Sequence, residues 1–425
     1  MLITLIIILG LIAAFLGAPL FIILGGLAFM FFILAGIDIS AVIIETARIG
    51  TSPVLITIPL FTFAGYIMAE AGTPRRMINL VRSFIGWLRG GVAIVAVVAS
   101  TFFTAFTGAT GVTIIALGGL LFPMLLKEKY GEKESLGIVT SAGTMGVLFP
   151  PSIAIILYGL IAKVSIAKLF IAGILPGVIL TLIISLLAIK YAPEVTDKRK
   201  FSVKEIIKSV KEAIWEIPLP FIVLWGIYSG KFTAAEAAII TATYAFVVEV
   251  FVYRDIKLKT DVPRIIRSSI VLTGGIFIIL GAALGLTNYL IDEQVPMKMF
   301  NWIKEHIGNK YVFLILLNIF LLIVGCLMDI FSAIMVVVPL IAPVALNFGI
   351  DPTHLGIIFL ANLGIGYLTP PVGLNLFIAS YRFRKPVINL YIAVIPFLLA
   401  LLAGLILITY IPFISLWLVD LFKVM

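Results

Sequence analysis

Two stretches, residues 143–152 (GTMGVLFPPS) and 364–373 (GIGYLTPPVG), interrupt otherwise apolar runs in the same way. A proline pair removes backbone donors and disfavours helix at the residue before it. Together with Gly146 or Gly366, each pair is expected to unwind a membrane helix at mid-depth. Unwound backbone in hydrocarbon is tolerated only where it is buried in protein or lines a cavity. Gly146 and Gly366, Pro150 and Pro370, and Pro151 and Pro371 all sit 220 positions apart, and Leu136-Gly137-Ile138 precedes Leu355-Gly356-Ile357 by 219. Matched interruptions in two halves of a chain are the best sequence pointer to a transporter's binding site. Two unrelated proline kinks are the plain alternative.

Composition agrees with a membrane setting. Of 425 residues, 12% are charged and 62% hydrophobic, which suits one polytopic membrane domain spanning 1–425 rather than a soluble fold. The net charge of +9 does not point to nucleic acid, because the basic residues fall in short loops between apolar runs and so report topology. Cys326 is the only cysteine, which excludes disulfides within the chain and thiolate metal clusters. His306 and His354 are far apart in sequence, and no metal or organic cofactor is expected. The first charge is Asp38, so residues 1–36 lack a positive signal-peptide start and are expected to be membrane structure.

Read in order, residues 1–36 are too long for one comfortable span, and Gly17-Ala18-Pro19 is expected to divide them into two. A polar link at 38–52 leads to a span at 53–70. Residues 73–89 carry Arg75, Arg82 and Arg89 on one side and Met77, Ile78, Leu80, Val81, Phe84, Ile85 and Leu88 on the other, the pattern of an interfacial amphipathic helix. Residues 91–126 form two apolar arms of about 16 residues around Thr107-Gly108-Ala109-Thr110, short of the roughly 20 needed to span, and so read as a re-entrant hairpin. The first broken helix (135–163) and a span at 168–191 follow. The basic loop 192–216 holds a short amphipathic helix opened by a capping box of Ser202 and Glu205. Spans at 217–229 and 233–253 and a basic segment at 254–267 complete the first half. The order then repeats, with a span at 269–291, an amphipathic arm at 294–309 and a hairpin at 311–348 whose tip lies near Asp329. The second broken helix (354–382) and a last span at 387–412 close the chain. The expected fold is therefore all-α and polytopic, with each repeat holding a re-entrant hairpin and a broken transmembrane helix.

If each hairpin enters and leaves on one side, an odd number of crossings separates the two repeats, which makes them inverted. Loops assigned to one face then hold 22 of the 30 lysines and arginines, leaving eight for the other. The first face is read as cytoplasmic, with both termini outside.

The inverted repeat brings two hairpin tips and two helix breaks toward the mid-plane. Unwound carbonyls and hydroxyls suit a hard cation such as sodium, and free helix N-termini suit an anion. The candidate ion ligands are Thr107, Gly108, Ala109, Thr110, Gly146, Leu148 and Phe149 in the first half, and Gly325, Asp329, Ser332, Gly366, Leu368 and Thr369 in the second. Thr107, Ser152, Asn362, Pro371 and Asn375 are the candidate substrate contacts. Plainer roles compete at several of these positions. Thr107 and Thr110 suit a helix cap, Asp329 an N-cap, and Asn362 and Asn375 interhelical hydrogen bonds. Glu236 has capping-box spacing with Thr233 and reads as structural.

These residues carry a resemblance. FTGATGVTIIALG (106–118), GVLFPPSIAIILYG (146–159), GKFTAAEAA (230–238), MDIFSAI (328–334) and NLGIGYLTPPVGLNLF (362–377) resemble the large membrane subunit of the tripartite ATP-independent periplasmic (TRAP) transporters, nearly end to end. The resemblance implies an elevator-type transporter. Transport elements (91–192 and 311–413) would move against a scaffold (mainly 1–72 and 193–291), linked by the arm helices 73–89 and 294–309. It also implies sodium as the coupling ion, a small four-span membrane subunit as partner, and a periplasmic binding protein that delivers small organic acids such as dicarboxylates, keto acids or acidic sugars. The implied location is the cytoplasmic membrane of a bacterium or archaeon. One departure matters: the family's first tip commonly reads Ser-Gly-Ser, and Ala109 here has no hydroxyl, so an ion contact there must be a carbonyl.

A stand-alone sodium-carboxylate symporter or antiporter of the same architecture is the competing reading. A proton-conducting respiratory subunit would need a relay of ionisable residues within the spans, and only Asp329 stands out. No nucleophile, metal or phosphate motif supports an enzyme.

Overall fold

The computed structural model describes residues 2–16, 18–49, 53–193, 201–229, 231–307 and 309–422, and among these the regular structure is entirely helical. Gly17, residues 50–52, the basic run at 198–200 and Gly230, all of which enter the reading above, lie outside the described residues.

Helices α1 (Leu2–Phe15) and α2 (Leu20–Leu34) divide the first apolar run in two, with Pro19 immediately ahead of α2. The expected polar link is instead largely a helix, α3 (Ser40–Ile49). Asp38 Oδ1 accepts from the Ser40 amide at 2.8 Å and starts its first turn, while Val42 faces Gly285 of a later helix. A 3-10 turn at Pro53–Ile56 runs into α4 (Thr57–Glu70). The amphipathic arm is α5 (Thr73–Ile85), which ends at Gly86, short of the expected Arg89.

Hairpin 1 comprises α6 (Gly91–Thr107), α7 (Thr110–Ala116) and α8 (Gly118–Lys127), the last two meeting at a 54° bend. The first broken helix is α9 (Glu132–Ala142), a 3-10 turn at Gly143–Leu148, an extended stretch, and α10 (Ile153–Ala162). Then come α11 (Ile166–Lys190), α12 (Val203–Glu212), α13 (Pro218–Tyr228) and α14 (Ala234–Val247), which passes into a π turn at Val248–Val252. Only half of the box expected at α12 is made, Ser202 Oγ accepting from the Glu205 amide. At α14 the full Thr233–Glu236 capping box is present.

The long helix α15 (Asp261–Asp292) begins eight residues before the expected span, inside the basic segment, where Asp261 Oδ2 accepts from the Lys257 amide at 2.8 Å and ties the preceding turn to the helix start. Its 32 residues measure about 48 Å, more than the ~30 Å hydrocarbon core, so the Arg264 and Arg267 end projects beyond the apolar layer. The second arm is α16 (Val295–His306). Hairpin 2 is α17 (Lys310–Leu327) and α18 (Ile330–Asn347), and the second broken helix is α19 (Pro352–Gly366) and α20 (Leu374–Phe383). Helix α21 (Val387–Tyr410) and a short α22 (Phe413–Leu421) end the described chain. Seven helices among the described residues are long and apolar enough to span a membrane, or up to nine if each bent pair counts as one span.

The repeat is legible in backbone geometry. Left-handed residues close equivalent turns at Lys129 and Gly349, 220 apart, and at Lys163 and Arg384, 221 apart. Both Pro-Pro bonds are cis. Helices α2, α3 and α4 pack against α15, and α14 against α4, forming one group. In the other, α6 packs on the 3-10 turn, α17 on α19, α7 on α20, and α10 on α18. Each hairpin therefore touches the broken helices of both repeats.

Candidate functional site

The hairpin tips and helix breaks converge, and glycine makes the approach possible. A Cβ on Gly146 would lie 2.3 Å from Thr104 Cβ and 2.5 Å from the Thr101 carbonyl oxygen of hairpin 1. A Cβ on Gly366 would lie 2.7 Å from both C and Cα of Gly325 in hairpin 2. Thr104 and Gly325 stand 221 positions apart, so the contact is the same in both repeats. Neither glycine is itself in the extended part of its break. Gly146 sits in the 3-10 turn and Gly366 ends α19, while the non-helical stretches are 149–152 and 367–373. The unwinding expected at the glycines therefore begins only a few residues later, nearer the prolines.

At tip 1, the Thr107 hydroxyl lies 3.4 Å from the Ala109 carbonyl, and Gly108 takes the left-handed conformation that turns the hairpin. Thr110 does not cap its own helix. Its hydroxyl donates at 2.7 Å to Asn375 Oδ1 at the start of α20, and Asn375 Nδ2 donates at 3.3 Å to Thr144 Oγ1 in the first 3-10 turn. All three side chains are buried. Asn375 thus joins hairpin 1, break 1 and break 2 through one amide. Across the same hairpin the Thr104 and Thr113 hydroxyls lie 2.6 Å apart, and Thr101 Oγ1 donates to the Ala142 carbonyl at 3.2 Å.

At tip 2, Asp329 caps α18, with Oδ1 accepting from the amides of Phe331 and Ser332 at 3.0 Å each and Oδ2 taking the Ser332 hydroxyl. The tip is tied to its break by the Gly373 amide donating to the Cys326 carbonyl at 3.0 Å and by the Ile330 amide donating to the Tyr367 hydroxyl.

The remaining candidates separate. The Gly146 and Gly366 carbonyls accept from the amides of Phe149 and Thr369, and the Leu148 carbonyl points at Gly173 of α11 rather than at a tip. Leu368 is buried, and the Thr369 hydroxyl bonds the Ile365 carbonyl at 3.2 Å. Ser152 is fully buried with its hydroxyl unpaired. Pro371 is exposed, as is Pro370, whereas Pro150 and Pro151 are buried, so only the second break opens to the surface. Asn362 lies away from the tips, donating at 2.7 Å to Asn318 of α17. Asn318 in turn donates to Thr409, whose carbonyl sits 3.2 Å from His354 Nε2, and His354 Nδ1 is 2.5 Å from Ser415 Oγ. That chain fastens α19 to α17, α21 and α22, the interhelical role that was open for Asn362.

Sequence reasoning passed over Thr144, although it lies inside the first interrupted stretch, and Arg382, whose Nε donates to the Ile115 carbonyl of hairpin 1 at 2.8 Å. An intramembrane hydroxyl and a basic residue at a broken helix were the available signals. It also passed over Arg76. This arginine pairs with Glu216, with Glu249 at 2.8 Å and with Asp255 at 2.6 Å, and its guanidinium lies 3.8 Å over the Tyr253 ring. No local spacing predicts that cluster, because its partners are more than 130 positions away.

Known proteins fit this geometry. The family described as "Tripartite ATP-independent periplasmic transporter, DctM component" matches residues 5–414. The C4-dicarboxylate TRAP transporter large permease protein DctM of Pseudomonas aeruginosa is 36% identical over 364 residues, covering 85% of each chain. The ectoine/5-hydroxyectoine TRAP transporter large permease protein UehC of Ruegeria pomeroyi is 34% identical over 414 residues, covering 96% of each. The crystal structure of the Alcanivorax borkumensis YdaH transporter superposes with a TM-score of 0.58 over 87% of each chain at 13% identity, a likeness of fold alone. With its paired hairpins and broken helices and a family match across nearly its whole length, this chain belongs to the DctM family, the large membrane subunit of the tripartite ATP-independent periplasmic transporters.

Proposed function

We propose that the chain is the transporting subunit of a sodium-driven, binding-protein-dependent importer of small organic acids in the cytoplasmic membrane. The observation that carries this reading is the buried Thr110–Asn375–Thr144 connection, which gathers both breaks and one hairpin tip around a single polar centre. Helix α10 begins beside this centre without a side-chain cap on its first amides, which suits a carboxylate, whereas the Asn375 and Leu376 amides of α20 already donate to the Tyr367 and Gly373 carbonyls. Hydroxyls and carbonyls at Thr107, Ala109, Thr110 and Thr144, and at Asp329, Ser332 and Thr369, supply oxygens of the kind a sodium ion takes. We assign the α6–α11 and α17–α22 groups to a moving transport domain and the α2–α4 and α13–α15 group to a static scaffold, with α5 and α16 as the links. Partners in this reading are a small four-span membrane subunit and a periplasmic binding protein that releases substrate to the tips. Its relatives are named for C4-dicarboxylates and for ectoines, so an acid or a carboxylate-bearing zwitterion both suit the site. Uptake into vesicles holding this chain and both partners is expected to require an inward sodium gradient. Equal uptake on a proton gradient alone, without sodium, would overturn the coupling.

A further inference from the structure

The Arg76 cluster lies outside the polar centre and is not used by the transport reading. It sits where the first arm helix meets the scaffold. Arg76 belongs to the first turn of α5, Glu216 immediately precedes α13, and Glu249 and Asp255 lie in and just after the π turn that ends α14. The same carboxylates hold the backbone entering the arm. Thr73 Oγ1 donates to Glu249 Oε1 at 2.7 Å, and the Gly72 amide donates to Asp255 Oδ2 at 2.9 Å. A Cβ on Gly72 would lie 2.6 Å from both Arg76 Nη1 and Asp255 Oδ2, so the chain passes directly beneath the ion pairs.

The charges do not balance. One guanidinium faces three carboxylates, and two of these are almost wholly buried, Glu216 at 2% and Glu249 at 1% exposure. Glu216 Oε1 is taken by Arg76 Nε, while its other oxygen, Oε2, is buried with no hydrogen-bond partner. The groups facing it are Arg76 and the Thr73 hydroxyl from α5, Glu249 and Tyr253 from the end of α14, Tyr244 from within α14, and Asp255 across the guanidinium. The one Thr73 hydroxyl proton goes to Glu249 Oε1, which leaves Glu216 Oε2 without a donor. The Glu212 carboxylate is turned toward Lys208 instead. An orphaned carboxylate oxygen in a buried site with excess negative charge is strongly unfavourable, and taking up a proton relieves it. Burial, opposed by Arg76 and assisted by Glu249, pushes the Glu216 carboxyl up from 4.5 to about 7.

We propose that this cluster is a proton-binding joint, in which a proton on Glu216 locks the first arm helix onto the scaffold and its loss loosens that seam. In this joint, ionising Glu216 leaves Oε2 charged and without a donor, and α5 parts from the segment between α12 and α13 to admit water to it. The fold holds this proton more tightly than the unfolded chain does. The stabilisation is therefore complete below pH 4.5 and is lost as pH rises through about 7. No comparable cluster is found at the second arm among the described residues. There the turn into α16 runs through Gln294 in the left-handed conformation, and the only ion pair is Lys298 to the half-exposed Glu293. The two links between scaffold and transport domain therefore differ, because only the first is tied down by a buried carboxylate cluster. The link-and-scaffold language rests on the proposed function, but the joint itself is testable without any transport.

The test is hydrogen–deuterium exchange on the purified subunit at pH 6 and pH 8, corrected for intrinsic rates, read on the amides of α5. Exchange in Thr73–Arg82 is expected to be several-fold faster at pH 8 in the wild-type protein. In Glu216→Gln, a neutral side chain of the same shape, it should be slow at both values. Should that variant not fold, difference infrared spectroscopy on the wild-type protein and on Glu249→Gln, which removes the other buried carboxylate, decides. A protonated-carboxyl band must be present at pH 6 and fade toward pH 8. Exchange in α5 that is equal at the two pH values, a pH effect that survives in Glu216→Gln, or no protonated carboxyl at pH 6 would each overturn the proposal. Failure of sodium-driven uptake would leave it untouched.

Discussion

Replacing Gly366 by alanine tests whether the hairpins are seated on the breaks as closely as described. The added Cβ would lie 2.7 Å from C and Cα of Gly325 and 3.1 Å from the Cys326 amide nitrogen. These are backbone atoms, so no rotamer change relieves the contact. Carbon atoms settle at ~3.5–4.0 Å, so the tip of α17 must retreat by about 1 Å. Such a retreat weakens the Gly373–Cys326 and Ile330–Tyr367 hydrogen bonds that lie within a few residues. Overpacking of this kind costs about 1–3 kcal/mol, and the helix propensity gained on leaving glycine returns at most about 1 kcal/mol. The net loss, on the order of 1–2 kcal/mol, should lower the melting midpoint of this 425-residue protein by roughly 1–2 °C. Gly274→Ala is the control, because a Cβ there meets nothing within 4 Å in the middle of α15, and its midpoint should hold or rise. Gly366→Ala melting with or above the wild-type protein would refute the reasoning about the seat.

Asn375→Ala removes the amide shared by Thr110 and Thr144 and leaves two buried hydroxyls without it, at about 1–3 kcal/mol for each group left unsatisfied. Vesicle uptake should fall well below the wild-type rate at equal expression, and full uptake would show the connection to be dispensable. Asp329→Asn keeps a capping side chain but removes the charge. If the carboxylate is an ion ligand, half-saturating sodium should rise by roughly tenfold, on the order of 1.4 kcal/mol, and an unchanged sodium curve would leave Asp329 as the cap already seen in α18. In a Cys326→Ser background, a cysteine at Arg384 should be shielded from an impermeant thiol reagent outside intact cells and one at Lys304 labelled. The reverse pattern would invert the topology.

Most of the architecture was readable because hydrocarbon leaves few choices. Apolar runs interrupted by Gly, Pro and charge fix the helices, and α4, α11 and α21 fall within a few residues of the expected spans. The two breaks were readable because adjacent prolines, each preceded by a glycine at the same spacing, remove successive backbone donors inside an apolar run. The misreadings are at the membrane boundary. Residues 40–49 and 261–268 look polar enough for loops, yet Asp38 accepts the first amide of α3, and both α3 and the early turns of α15 are helical and pack on their neighbours. At the site, residue types were legible but pairings were not. Asn362 and Asn375 look equivalent in sequence, and only the fold sends one to Asn318 and the other to Thr110 and Thr144. The Arg76 cluster depends on three segments brought together from distant parts of the chain, which no periodicity encodes.

In the proposed transport cycle the tips move as a unit between the two faces of the membrane. The most direct measurement places a cysteine at Ala109, in the Cys326→Ser background, in vesicles with both partners. It follows labelling by an impermeant reagent from each side as sodium and substrate are varied. The account predicts labelling from both sides, with the balance shifting when sodium and substrate are supplied. Labelling from one side only, whatever is added, would contradict it.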